Sequence, residues 1–207
     1  MPADSTTRYV YLFSEIAAVR ASVGEDWQAV RALLGGKGAN LAEMSSLGIP
    51  VPPGFTISTE ACRDFLAADA RLPGTLWDEV LAAVRAIESA TDKRFGDHDN
   101  PLLVSCRSGA KQSMPGMMDT ILNIGLNDEV VAGLARRSGD ERFAFDLYRR
   151  LVQMFGSVVM GVPDEVFDAV IMAQRNRLGV ATDAEIDAAH WRLITARFKE
   201  IYRTYTG

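Results

Sequence analysis

The chain has 207 residues, 48% hydrophobic and 24% charged, with 22 Lys and Arg against 27 Asp and Glu for a formal net charge of −5. That composition suits a globular protein with one large or two small cores, and its acidic balance excludes nucleic-acid binding driven by bulk positive charge. No apolar run approaches the ~18 residues of a membrane span and Met1 to Arg8 carries no apolar signal core, so no membrane association is expected and the chain reads as cytoplasmic. The only two cysteines, Cys62 and Cys106, lie far apart in apolar segments and read as reduced thiols packed in the core.

Tyr9-Val10-Tyr11-Leu12-Phe13 is aromatic and β-branched, which predicts a first strand. Next comes the glycine-rich run Gly35-Gly36-Lys37-Gly38, which reads as a loop opening a helix with Leu41, Met44 and Leu47 on one face and Gly48 at its C′ position. Ile49-Pro50-Val51-Pro52-Pro53 cannot be helical and leads into a strand at Gly54-Phe55-Thr56-Ile57, after which Ser58 or Thr59 caps a helix carrying Cys62, Phe65 and Leu66. A longer amphipathic helix is expected from Leu76 to Phe95, with Leu76, Val80, Val84 and Ile87 as its buried stripe.

Pro101-Leu102-Leu103-Val104-Ser105-Cys106 follows an Asp97-His98-Asp99-Asn100 turn and reads as a buried strand of a mixed sheet, with Arg107 at its exit. From Asn127 only helices are expected: Asp128 to Arg137, Arg142 to Met160, Pro163 to Arg177 and Asp183 to Thr204. Thr182 with Glu185 makes a capping box, Pro163 suits position N1, and Gly139, Gly161 and Gly179 punctuate the joints. The expected organisation is α+β, with a mixed-sheet subdomain over residues 1–125 and an all-helical subdomain over 126–207.

Three segments carry chemistry: Gly35–Leu41, Val51–Phe55 and Ser105–Gly116. Glycines let backbone N–H groups approach phosphate oxygens, Lys37 supplies a point charge, and Arg107 supplies a planar fork able to grip two oxygens. An arginine directly after a buried strand is costly unless it meets an anion or water, and Ser108 and Gly109 beside it extend the same candidate site. The run departs from the P-loop pattern, because Gly38 follows Lys37 where a magnesium-binding Ser or Thr belongs. No acidic cluster at a convincing spacing follows the basic loops to hold Mg2+. His98 reads as a turn residue and His190 as a helix residue, neither beside a second metal-type ligand. Arg136, Arg137, Arg142, Arg149 and Arg150 form a basic concentration that is either a solvated face or a docking surface for an acidic partner domain.

The segments Leu34-Gly-Gly-Lys-Gly-Ala-Asn-Leu-Ala-Glu-Met44, Gly48-Ile-Pro-Val-Pro-Pro-Gly-Phe55, Pro101-Leu-Leu-Val-Ser-Cys-Arg-Ser-Gly-Ala110 and Ser113-Met-Pro-Gly-Met-Met-Asp-Thr-Ile-Leu-Asn123, in that order, resemble the pyruvate, phosphate dikinase family. The resemblance runs from about Tyr9 to Gly207. It implies an ATP-grasp nucleotide-binding domain in which Lys37 and Arg107 bind the triphosphate, Gly116 belongs to a loop that covers it, and Arg150 lies on a face that meets a phosphohistidine domain. Cys106 departs from the Val usual in the family.

The resemblance further implies that the magnesium ligands, the phosphohistidine domain and the pyruvate-binding domain lie outside this chain. No complete catalytic set is therefore expected in it, and it should bind ATP weakly without turnover. A fragment of a phosphoenolpyruvate synthase-like dikinase is the alternative within enzymes, disfavoured by the Ser-Met-Pro-Gly-Met-Met run. A non-catalytic docking module is the alternative outside them.

Overall fold

A computed structural model describes residues 7–109 and 119–207. It divides by internal contact into two units, one holding the described residues 7–92 and 108–109, the other Lys93–Arg107 and Asp119–Gly207.

The first unit is built on a short antiparallel pair. β1 (Val10–Leu12) runs against β2 (Phe55–Ile57), with Val10 opposite Ile57 and Leu12 opposite Phe55. Successive strand side chains point to opposite faces. Within β1, Tyr11 accordingly joins a core of Ile16, Val19, Val30, Leu33 and Leu34 and Val10 joins another with Ala61, Leu76 and Ala83, to which Tyr9, just before the strand, also belongs. A 3-10 turn over Phe13–Glu15 leads into α1 (Ile16–Val23), followed by α2 (Trp27–Ser46). α3 (Thr59–Ala67) and α4 (Leu76–Thr91) complete this unit. The start of β1 is tied down by Glu79, whose Oε2 accepts the backbone N–H of Tyr9 at 2.8 Å and of Val10 at 3.0 Å. Tyr9 Oη also donates to Asp64 at 2.8 Å.

The expected caps are present here, with corrections in extent. Ser58 accepts from Ala61 N at 3.4 Å and starts α3. α4 stops at Thr91 rather than Phe95, because Asp92 takes the left-handed conformation at φ 52°. Its buried residues are Leu76, Ala83 and Ile87, with Val80 and Val84 half-buried. Cys62 and Cys106 are both exposed, not core residues: each sits on the solvent side of its element.

In the second unit β3 (Val104–Arg107) pairs antiparallel with β4 (Thr120–Ile124) through an irregularity between Val104 and Cys106. The expectation of a buried mixed-sheet strand is corrected. Burial is confined to Pro101 and Leu102, and Ser105, Cys106 and Arg107 are exposed. Both sheets of the described residues are two-stranded and antiparallel, within an α+β fold.

The remainder is helical. α5 (Asp128–Ser138), α6 (Glu141–Met154), α7 (Asp164–Leu178) and α8 (Ala188–Thr206) each begin at a side-chain cap or a proline. Asn127 accepts from Glu129 N and Val130 N, Asp140 from Phe143 N and Asp187 from His190 N, all within 2.8–2.9 Å. Such caps pair helix-end amides that have no partner within the helix. Gly139 and Gly179 end α5 and α7 at positive φ, where a β-carbon is unfavourable. Pro163 is the N-cap of α7 rather than its first residue, and the Thr182–Glu185 capping box opens a 3-10 turn over Asp183–Glu185. The expected helix to Met160 is α only to Met154 and continues as a π-helical turn over Phe155–Val159.

These helices enclose one core that includes Val130, Phe145, Phe167, Trp191, Ile194 and Phe198. Phe167 and Phe198 meet edge to face with ring centroids 4.8 Å apart. A β-carbon at Gly156 would stand 2.6 Å from Phe167 Cζ, so the absence of a side chain there lets the π turn lie on the ring. Among the described residues no helix is long and apolar enough to cross a membrane.

Phe167→Ala should destabilise the protein by about 3–5 kcal/mol, read from urea unfolding, because its fully buried ring leaves a cavity between the π turn, α7 and α8. A second expectation concerns pH. Lys199 Nζ donates to Asp128 Oδ1 at 2.6 Å, and this bond holds the Asp128 carboxyl below its ordinary value against the opposing effect of burial. A depressed folded value places the stabilisation above the unfolded carboxylate pKa of about 3.9, to be lost as pH falls through the folded value. Asp128→Asn should therefore lower the urea midpoint at neutral pH, and the gap to the parent should close below about pH 4.

Candidate functional site

The glycine-rich segment is a kink inside a helix rather than the loop that opens one. Asp26 caps α2 by accepting from Gln28 N at 3.2 Å, so the helix is under way from Trp27. At Gly35 the backbone departs from helical geometry, with φ 69° and ψ 167°, and a second helical stretch follows it. Glycine adopts that positive φ without steric penalty. The buried face beyond the kink is Gly38, Ala39 and Ala42, while the expected face residues Met44 and Leu47 are exposed.

Gly38 explains this small-residue face. A β-carbon there would lie 2.5 Å from Thr56 Oγ1, so α2 rests backbone-first on β2. Gly54 is similarly constrained, its imagined β-carbon 2.3 Å from Phe13 Cε2, and its carbonyl accepts from Phe13 N at 2.9 Å. The other end of α2 follows expectation. Gly48 has φ 73°, its N–H bonds Ser45 O at 3.1 Å and Ile49 N bonds Met44 O at 3.1 Å, closing the last carbonyls.

Lys37, between the kink and the contact with β2, is half-buried, and its Nζ donates to the backbone carbonyl of Ser108 at 3.3 Å. Two predicted segments, 71 residues apart, thus meet within the first unit. An ammonium group offers three donors, so this bond leaves Lys37 capacity for an anionic acceptor. Ser108 and Gly109 are exposed, and among the described residues nothing lies within 4 Å of an imagined β-carbon on Gly109. Gly116 falls outside the described residues.

Arg107 ends β3 in the second unit, opposite Thr120. It is exposed and forms no ion pair among the described residues. Its exposure removes the burial cost inferred from the neighbouring apolar run.

The basic concentration resolves into separate roles. Arg142 donates to the carbonyls of Ile186 at 3.0 Å and Asp183 at 2.9 Å, and Arg137 to that of Asp99 at 3.1 Å. Arg149 is buried at 7% exposure, bonded to Asp146 and to Gln153 at 3.0 Å, with its guanidinium 4.5 Å from the Trp191 ring centroid. Only Arg150 of this pair is outward, sharing Asp146 through a 3.1 Å bond while its side chain stays 55% exposed. The structural role of Arg149 is one the basic-concentration reading missed; its signal in the sequence is Asp146, three residues earlier on the same helix.

His190 Nδ1 lies 2.7 Å from Asp187 Oδ1 at the start of α8. The expectation that neither histidine neighbours a metal-type ligand is corrected at both: His190 has this one carboxylate beside it, and His98 forms an exposed group with Asp97 and Asp99. Asp97 Oδ1 already accepts from Asp99 N at 2.7 Å and Asn100 N at 2.8 Å, which holds its carboxyl below the usual range. These bonds account for the cluster as a turn. Among the described residues no metal-ligand group lies in the unit that holds Lys37.

Comparison with known proteins converges on one family. The family described as "Pyruvate phosphate dikinase, AMP/ATP-binding domain" matches residues 31–72, which span most of α2, β2 and α3. Pyruvate, phosphate dikinase 2 of Oryza sativa subsp. japonica is 56% identical over 170 residues, covering 82% of this chain and 19% of that protein. The pyruvate, phosphate dikinase of Rhizobium meliloti (strain 1021) is 48% identical over 200 residues, 97% of this chain and 22% of its own length. The chloroplastic pyruvate, phosphate dikinase 1 of Zea mays is 44% identical over 206 residues, covering 100% of this chain and 21% of that protein. The chain spans about a fifth of the length of these relatives.

Gly38→Val should destabilise the first unit by about 1–3 kcal/mol, since the added methyl groups collide with Thr56 across the helix–strand contact. Gly36→Ala, whose β-carbon would meet only Arg31 Nη2 at an ordinary 3.6 Å, should stay within about 1 kcal/mol of the parent, both variants being read from urea unfolding.

Proposed function

From membership of the pyruvate, phosphate dikinase family, to which this chain belongs over about a fifth of its relatives' length, we propose that the chain binds ATP through Lys37 and Arg107. Ser108, Gly109 and Gly116 are assigned supporting contacts to the phosphates. The observation that carries this reading is the bond from Lys37 Nζ to the Ser108 carbonyl, 3.3 Å long, which joins two of the three phosphate-suited segments. Lys37 contributes a compact positive charge with two further donors, and Arg107 contributes an exposed fork suited to phosphate oxygens.

The whole protein would convert ATP, pyruvate and phosphate to AMP, phosphoenolpyruvate and diphosphate through a phosphohistidine. In that scheme this chain supplies nucleotide binding and orientation, and Arg150 is a docking contact for the phosphohistidine domain. The two regions 1–125 and 126–207 would divide these tasks. Mg2+ would accompany the ATP and neutralise its charge. The described residues of the first unit do not fit as its ligands, so no step of the chemistry is assigned to them. A cytoplasmic location is supported by two exposed free thiols, which suit a reducing compartment.

Calorimetric titration with ATP and Mg2+ tests the assignment. Binding should be measurable for the parent chain and weaker by about tenfold or more in Lys37→Ala and in Arg107→Ala, each of which loses a charge-assisted contact. Unchanged affinity in both variants would remove these residues from the site.

A further inference from the structure

The second unit carries a groove between α7 and α8 that the nucleotide-binding proposal does not use. Val170, Ala173, Gln174 and Arg177 border it from α7, with Leu193, Ile194 and Arg197 facing them from α8 around a volume of about 370 Å³. The α7 residues fall at spacings of three, four and seven, one continuous stripe of the helix. The floor is apolar: Ile194 is 2% exposed, whereas Leu193 on the rim is 60% exposed.

Three polar features give the groove a chemical preference. Arg177 forms no hydrogen bond or ion pair among the described residues. Arg197 bonds Glu200 at 2.6 Å, but both side chains are more than half exposed, so the pair is weak and exchangeable. Gln174 Nε2 is buried without a hydrogen-bond partner. A buried donor left unpaired costs free energy that a carboxylate or carbonyl acceptor would recover.

We propose that this groove docks an acidic amphipathic helix of a partner protein. An open channel between two helices accepts the side-chain ridge of a third, with apolar anchors at helical spacing on the floor. Carboxylates flanking those anchors would meet the guanidinium forks of Arg177 and Arg197, while Gln174 Nε2 would gain an acceptor. Charge complementarity selects the partner: the groove offers two cations and one amide donor over an apolar base.

The test is fluorescence anisotropy of the full 207-residue chain with a labelled helical peptide bearing Leu at spacings of three, four and seven and Glu on either side. The acidic peptide should bind, a version with Lys in place of Glu should not, and the combined Arg177→Ser and Arg197→Ser variant should bind about tenfold more weakly or worse. Gln174→Leu should weaken binding several-fold, and Arg71→Ser with Arg85→Ser, on exposed residues of the first unit, should leave it unchanged. Circular dichroism of every variant confirms retained folding, which the exposure of both groove arginines favours. The proposal is overturned by absent binding, by equal binding of the Lys peptide, or by equal binding in the folded arginine variant. Displacement of the peptide by inorganic phosphate would identify a small-anion site instead, and sedimentation showing self-association through Arg177 and Arg197 would identify a second copy as the occupant. Either result also overturns it.

Discussion

The contact between Gly38 and Thr56 is the constraint on which the first unit turns. With only a hydrogen on Gly38, the helix axis can approach β2 closely, and every larger residue at that point would hold the two elements apart. The positive φ of Gly35 supplies the change of direction that makes the approach possible. Lys37 lies between these two requirements, so backbone geometry on both sides sets where its side chain leaves α2, within reach of the Ser108 carbonyl. Glycines in this segment thus serve packing and charge placement together.

The helical unit is organised differently, by side chains that close its ends and by one buried cation. Asn127, Asp140 and Asp187 satisfy the amides that begin three of its helices. Arg149 is held by Asp146, Gln153 and the face of Trp191, so its charge is neutralised and stacked. A buried cation without such partners would be strongly destabilising. The neighbouring Arg150 shares the same aspartate yet faces outward, so one carboxylate links an interior support to the surface.

Features governed by local backbone chemistry were legible in the sequence. The first strand, the Ser58 cap, the Gly48 helix end, the Thr182–Glu185 box and the glycines ending α5 and α7 all follow from a few adjacent residues. The early start of α2 was also encoded, in Asp26 followed by Trp27, Val30, Leu33 and Leu34 at helical spacing, but four clustered residues of glycine-loop character masked it. The exposure of β3 was not legible, because an apolar run specifies extended backbone without specifying what covers it. The same reason accounts for the cysteines, which depend on which side of an element meets solvent. Lys37 and Arg107 could be selected by residue type alone. The bond between Lys37 and Ser108 could not, because nothing local connects residues that far apart.

The π-helical turn after α6 closes with a bond from Met160 N to Phe155 O at 3.3 Å, a wider winding than the α-helix it extends. With only a hydrogen on Gly156, that widened backbone lies directly on the Phe167 ring. Any side chain introduced at Gly156 would therefore push first against an aromatic ring that α8 already braces through Phe198, so the disturbance would pass from a surface turn straight into the middle of the helical core.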